Sequence, residues 1–270
     1  MEQLLVDQPE PGLFVLTLNK PERLNPLSLT VVRELHEALG ELDRSRHVRG
    51  VVITGAGRGF CSGAELRPNE EMSDARPAEN QNPMSHMFGM QELIASLHDR
   101  VHRMKAPVVA AVNGPAVGGG LSLSLACDLR YAAESAQFGA VFIKVGVSGA
   151  DMGCSYFLPR IVGAARATEL MMTGRIFSAA EAQEYGLVLD VVPDGTVVDT
   201  ALAKLREIAQ NAPMAVWMTK QTMWLNMGAG SLRQALDVEN RTQTMLTGSG
   251  ETDRAREAFV NKTSPTWLDL

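Results

Sequence analysis

The chain has 270 residues, 45% of them hydrophobic, which suits one large domain or one domain with an appendage. Aromatics make up only 5% while Ala, Gly, Val, Leu and Met abound, a mixture that favours an α/β protein over an all-β sandwich. The formal net charge is −6 with no long basic run, which argues against a nucleic-acid partner; an anionic ligand would need local cations. No stretch reaches the ~18 apolar residues of a membrane span, and the start, MEQLLVDQPEPG, has no basic segment leading into an apolar one, so neither a membrane partner nor a signal peptide is expected. Cys61, Cys127 and Cys154 are far apart and form no CxxC pair, so the reading is three reduced thiols in a cytoplasmic protein, with no metal site and no disulfide framework.

Leu13 to Leu18 alternates and is β-rich, a strand; Asn19 to Pro26, with two prolines, is a loop. Ser28 or Thr30 can cap a helix whose apolar positions Val32, Leu35, Leu39 and Leu42 recur at helical spacing. Gly50 to Thr54 reads as a short buried strand before a glycine-punctuated loop, Gly55 to Gly63. Residues 67–83 are polar and proline-containing and read as a mobile surface segment. A long amphipathic helix follows from about Met84 to Met104 and stops before Pro107. Val108 to Val112 is a strand, Asn113 to Gly120 a loop, and Leu121 to Cys127 is continuously apolar, as a buried helix would be. Ser178 with Glu181 forms a capping-box signature. Beyond Asp194 the pattern is purely helical, over 196–210, 213–227, 231–246 and 251–261. The organisation expected is a mixed core over 1–195 and a helical C-terminal region over 196–270, without internal repeats.

Two loops carry the chemistry: Arg58-Gly59-Phe60-Cys61-Ser62-Gly63-Ala64-Glu65-Leu66 and Asn113-Gly114-Pro115-Ala116-Val117-Gly118-Gly119-Gly120. Each follows a short hydrophobic strand, and the second opens into an apolar helix. Free N–H groups at a helix start attract negative charge, and glycines let a substrate oxygen approach the backbone. Side by side, two such loops could offer two N–H donors to one oxygen, an oxyanion hole; tight turns with no ligand are the alternative. Neither loop is a P-loop or a dinucleotide fingerprint. His98 and His102, four apart on one helix face, could bind a metal, but no HExxH and no third ligand accompany them, and they read as solvated or partly buried imidazoles. The methionines Met214, Met218, Met223 and Met227 read as packing residues of a core or a subunit interface.

With these two loops in hand, the sequence resembles the enoyl-CoA hydratase/isomerase (crotonase) family over nearly its whole length. The matching segments, in order, are Pro21 to Leu27, Arg58 to Leu66, Lys105 to Gly114, Val117 to Gly120 followed by Ala126 to Arg130, Leu158 to Gly163, Ala179 to Ala182 with Gly186 to Val188, and Arg256 to Lys262. The resemblance implies a spiral of ββα units with a helical C-terminal part that mediates trimerisation, trimers often pairing into hexamers. It implies an acyl-CoA substrate whose thioester carbonyl sits between the backbone N–H groups of Ala64 and Gly119, with coenzyme A entering as part of the substrate and no separate cofactor. Phe259 and Lys262 match positions that touch coenzyme A, often across a subunit boundary, and Arg23 is a cation for its phosphates. Ser62, Glu65, Leu66 and Gly118 fall in the same substrate-binding segments.

The pattern breaks at the acid/base. A typical hydratase of this family uses two glutamates to position water and move its protons; here Ser122 and Phe142 stand at the two aligned positions. The nearest replacement is Asp151, in a loop where dienoyl-CoA isomerases of the family place an aspartate; it can also cap the helix it precedes. Glu65 is an acid that the family commonly carries without using it as the base. The readings left open are an enolate-stabilising isomerase using Asp151, dienoyl-CoA isomerase among them; a hydratase with a rearranged water site at Asp151 and Ser122; and a non-catalytic acyl-CoA binding protein.

Overall fold

Strand β2, Leu13–Leu18, forms as its alternation predicts, but it is not the first. Leu4–Glu10 (β1) precedes it and folds back on it antiparallel across Pro11 and Gly12. All but the two ends of β1 are exposed, so it carries no inward apolar row, and only the Pro-Gly turn dipeptide marked it in the sequence. Three further strands, β3 (Gly50–Gly55), β4 (Val108–Val112) and, after a break, β6 (Leu129–Ala133), join in parallel, and β9 (Asp190–Val192) closes the order β1-β2-β3-β4-β6-β9. Every residue of β3 and β4 is buried, as parallel strands covered on both faces require. A second small sheet has the order β5-β7-β8, from Ala116–Val117, Gln137–Gly139 and Phe177–Ser178. This computed structural model describes residues 2–65, 77 and 81–270; most of the polar segment at 67–83, and Leu66, lie outside the described residues.

The helices follow from cap and period. Helix α1 (Leu29–Arg44) is capped by Ser28, whose hydroxyl accepts the Val31 N–H, which decides between the two candidate caps. Helix α2 (Pro83–Arg103) is the long helix of the sequence, and α3 (Gly119–Ala126) is the buried helix expected, every residue inside, its serines Ser122 and Ser124 included. Helices α4 (Cys154–Val162) and α5 (Ala164–Thr173) follow, then α6 (Ala179–Glu184) with the capping box Ser178–Glu181 complete in both directions. The tail forms α7 (Val197–Ile208), α8 (Pro213–Asn226), α9 (Leu232–Thr247) and α10 (Glu251–Asn261).

Two apolar clusters sandwich the large sheet. One face packs Leu13, Val15, Val52, Val109 and Tyr131 against Val197, Ala201, Leu202 and Leu205 of α7. The other face carries the larger core, where Leu35 and Leu39 of α1, Leu97 and Val101 of α2, and Leu121 and Leu125 of α3 meet Leu16, Ile53 and Val108. Each such side chain contributes about 1.5–3 kcal/mol on burial, so the strand ends, and the loops that leave them, rest on a rigid base. Among the described residues no helix is long and apolar enough to cross a membrane.

Candidate active site

The loops after β3 and β4 lie against each other because two asparagines and a short bridge hold them there. Asn113, at the end of β4, donates from Nδ2 to the carbonyls of Gly55 (2.8 Å) and Gly57 (2.9 Å) and accepts the Gly55 N–H on Oδ1 (3.2 Å). Asn25, 1% exposed and in the left-handed region at φ 54°, donates to the carbonyls of Ala56 (3.0 Å) and Gly59 (2.7 Å) and accepts the Lys20 N–H (2.8 Å). The Phe60 and Cys61 N–H groups both donate to the Pro115 carbonyl, and Cys61 pairs with Ala116. Neither asparagine figures in the sequence reading as a functional residue, although both lie inside segments that it singled out.

This stitching brings Gly63 and Ala64 beside Gly118 and Gly119. A methyl group on Gly63 would stand 3.0 Å from the Gly119 nitrogen. Leu27 and Ala64 form a parallel bridge in which the Leu27 N–H donates to the Gly63 carbonyl and the Glu65 N–H to the Leu27 carbonyl. Successive N–H groups of an extended segment point to opposite sides, so the Ala64 N–H is turned away from Leu27. Gly119 is the first residue of α3, where N–H groups have no partner within the helix and the helix dipole favours negative charge. The two N–H groups expected as donors are thus neighbours, on backbone held by the core beneath it.

Asp151 stands next to this pair. Its backbone carbonyl accepts the Ser122 hydroxyl (3.3 Å) one turn into α3, and the side chain of the next residue, Met152, lies where a Cβ on Gly119 would meet its sulfur at 2.9 Å. The Asp151 carboxylate accepts on Oδ1 from Gln91 Nε2 of α2 (2.6 Å) and from the Met152 N–H (2.8 Å). Asp151 does not cap α4: the cap is Gly153, and Met152 (φ 48°) and Gly153 (φ 82°) both take left-handed backbone, which delays the helix to Cys154. Ser122 is fully buried and gives its hydroxyl to the Asp151 carbonyl, which makes it a prop of the Asp151 loop. Phe142 is buried, with a ring edge 3.8 Å from where a Cβ on Gly118 would lie.

The remaining expected residues divide. Ser62 Oγ donates to the Arg23 carbonyl (3.2 Å), and Glu65, whose side chain is 7% exposed, holds the Arg23 guanidinium at 3.0 Å and Lys20 at 4.0 Å. These three form one cluster beside the first loop. Phe259 and Lys262 sit at the far end of α10, Phe259 84% exposed, and no hydrogen bond, ion pair or ring contact among the described residues joins their side chains to the loops. His98 is fully buried, where a solvated or partly buried imidazole is expected, because α2 packs its inner face on α3: Nε2 lies 3.4 Å from the Gly119 carbonyl and Nδ1 3.1 Å from that of Ile94. Burial holds its pKa below the ordinary value, so the ring is neutral at pH 7. His102 packs edge-on against Trp224 and Phe157. Asp128 accepts the Val108 N–H and pairs with Lys220 at 2.8 Å, a structural role. Among the described residues no three His, Cys, Asp or Glu side chains gather as a metal site. A cleft of about 640 Å³ between α2, α4 and α8 is lined by His98, His102, Tyr156, Lys220 and Trp224 and, among the described residues, by neither loop and not by Asp151.

A parallel core with two glycine loops held side by side accords with the family that the sequence resembles. The chain belongs to the enoyl-CoA hydratase/isomerase family, whose model covers residues 8–269. It is 38% identical to a probable enoyl-CoA hydratase of Mycobacterium bovis over 98% of this chain and 93% of that one. It is 34% identical to the 1,2-epoxyphenylacetyl-CoA isomerase of Escherichia coli, over 98% of each chain. The crystal structure of an enoyl-CoA hydratase from Bacillus anthracis superposes with a TM-score of 0.89 at 33% identity, covering 98% of both chains. The fold is therefore the crotonase fold, and the chain is an enzyme of the hydratase/isomerase type.

Proposed function

We propose that this protein binds an unsaturated acyl-CoA, stabilises its thioester enolate with the N–H groups of Ala64 and Gly119, and moves one proton with Asp151. The observation that carries this reading is the Asp151 carboxylate itself: it is anchored through Oδ1 beside the start of α3, and Oδ2 has no protein donor among the described residues. A carboxylate fixed by one oxygen and open at the other can take a proton from one carbon of the acyl group and return it to another. The double bond then shifts with no net gain or loss of atoms, and the charge that builds on the thioester oxygen falls on two N–H donors, worth about 3–4 kcal/mol for each. That is isomerase chemistry, and it needs no second acid. Two relatives are isomerases by name, the 1,2-epoxyphenylacetyl-CoA isomerase of Escherichia coli and, at 33% identity, a peroxisomal dienoyl-CoA isomerase of Arabidopsis thaliana.

Support for an apolar acyl group comes from α2. Met84, Met87 and Phe88 share the face that also carries Gln91, and all three apolar side chains are exposed. Because Gln91 reaches Asp151, this face is directed to the acid/base. Coenzyme A enters as part of the substrate, with Arg23 at its phosphates and Glu65 orienting Arg23. We further propose a homotrimer or a pair of trimers, with Phe259 and Lys262 completing a neighbour's site. Three buried thiols, each pushed up to about 12 by burial, suit a reducing compartment such as the cytoplasm.

The test is turnover of 2-enoyl, 3-enoyl and dienoyl-CoA by the parent protein and by Asp151→Asn. The proposal expects double-bond migration by the parent and loss of about 10²–10⁴-fold in the variant, the usual worth of a general acid/base, with thioester binding retained. Rapid conversion of a 2-enoyl-CoA to the 3-hydroxyacyl product would make it a hydratase instead. Unchanged turnover by Asp151→Asn removes Asp151 as the acid/base, and binding without turnover by the parent leaves a non-catalytic acyl-CoA protein.

A further inference from the structure

A carboxylate that takes a proton from one carbon and returns it to another must hold its orientation through both steps. Asp151 lies on a loop whose next two residues, Met152 and Gly153, have left-handed backbone, and it is only partly buried, so the loop alone does not fix its side chain. The fixing contacts come from two directions. The Met152 N–H holds Oδ1 from within the loop at 2.8 Å, and Gln91 Nε2 holds the same oxygen from α2, across 60 residues of sequence, at 2.6 Å.

We infer that Gln91 is a positioning residue for the reaction: its amide pins Oδ1 of Asp151 so that Oδ2 faces the acyl group. This rests on the reading of Asp151 as the acid/base. An amide suits the task. Gln91 carries no charge, so it orients the carboxylate without forming an ion pair that would remove the carboxylate from proton transfer, and a charge-assisted bond to a carboxylate is about twice as strong as a neutral one. Gln91 is exposed on its helix, and the side chains next to it on the same face, Met87 and Phe88, are exposed too, so the residue contributes little to the core. The Asp151 carboxylate acts on two buried titratable neighbours, the imidazole of His98 on α2, which is neutral, and the thiol of Cys154 on α4. Neither competes for Oδ1.

The experiment compares parent, Gln91→Leu, Gln91→Glu and Asp151→Asn on whichever thioester the parent turns over, with kcat and KM measured for each. Gln91→Leu keeps the side chain's bulk without the donor. The expected result is a kcat lower by about ten- to hundredfold, the loss of one hydrogen bond to a charged group, with KM within about twofold. Gln91→Glu sets a second carboxylate against Oδ1 in place of the donor, so its kcat should fall at least as far, again with KM within about twofold. A merely structural role would lower the amount of active enzyme and leave kcat per active site unchanged. If Asp151→Asn is inert while Gln91→Leu matches the parent in kcat, the role of Gln91 is overturned and that of Asp151 stands. If Asp151→Asn turns over as the parent does, both are overturned.

Discussion

At the scale of single residues, the proposed oxyanion pair depends on one glycine that donates nothing itself. Gly63 has φ 85°, and a Cβ there would sit 2.8 Å from the Val117 carbonyl oxygen and 3.0 Å from the Gly119 nitrogen. Gly63→Ala should therefore lose stability twice, about 1–3 kcal/mol from the backbone conformation and more from the clash. It should also lower kcat by about 10²–10³-fold, as loss of one oxyanion donor does, because the clash pushes the loops apart. Gly195 provides the control: it has the same φ of 85° but nothing within 4 Å, so Gly195→Ala should lower the melting temperature and leave kcat alone. Equal loss of kcat in both variants would mean that the Gly63 effect is only instability. The two loops that meet here were legible in the sequence because each is a contiguous glycine-rich segment. Asn25, Asn113 and Gln91 were not, because each acts across a gap in sequence: a lone polar residue that bridges two distant segments leaves no local pattern. Asp151 was visible but ambiguous, and only the left-handed pair Met152–Gly153 separates it from the start of α4.

At the scale of elements, α6 is held by a polar network that titrates. The Ser178 N–H and the Arg175 guanidinium stabilise the Glu181 carboxylate and lower its pKa from 4.5 to about 2, with the Tyr185 hydroxyl adding to them. A carboxyl group whose pKa is lower in the folded chain than in the unfolded one stabilises the fold fully above its unfolded value, and loses that contribution as pH falls through its folded value. The window here runs from about pH 4.5 down to 2. Urea midpoints measured across that window should fall less steeply in Glu181→Gln than in the parent. The two proteins should differ most at neutral pH and converge near the acid end; parallel curves would place the acid sensitivity elsewhere. The capping box behind this network was readable, as were the periods of α1, α2 and the four tail helices, because each spans two turns or more. Strands β5, β7 and β8 run to only two or three residues, and β1 is mostly exposed, so none could show a period. They are defined by their partners, which are tertiary facts.

At the scale of the whole molecule, the tail helices leave a set of apolar side chains exposed. Helix α9 buries none of its residues within the chain, yet it exposes Leu232, Leu236 and Met245; α8 adds Met223 and Leu225, and α10 adds Phe259 and Val260. Exposed apolar residues on helices that pack on one another suit an interaction surface. A cyclic assembly of identical chains covers such a surface with a different patch of the next chain and closes on itself. Light scattering on the eluted protein should therefore give three or six times the mass of one chain. Leu232→Asp with Leu236→Asp, two changes on one face of α9 and remote from both loops, should release monomers whose helical content is unchanged. Two activity outcomes then separate what the assembly does. If Phe259 and Lys262 complete a neighbour's coenzyme A site, the monomers should show a KM for the thioester raised by tenfold or more, with the chemistry at Asp151 intact at saturation. If each chain holds its own substrate entirely, the monomers should keep the parent's KM, and the apolar tail would serve cohesion alone.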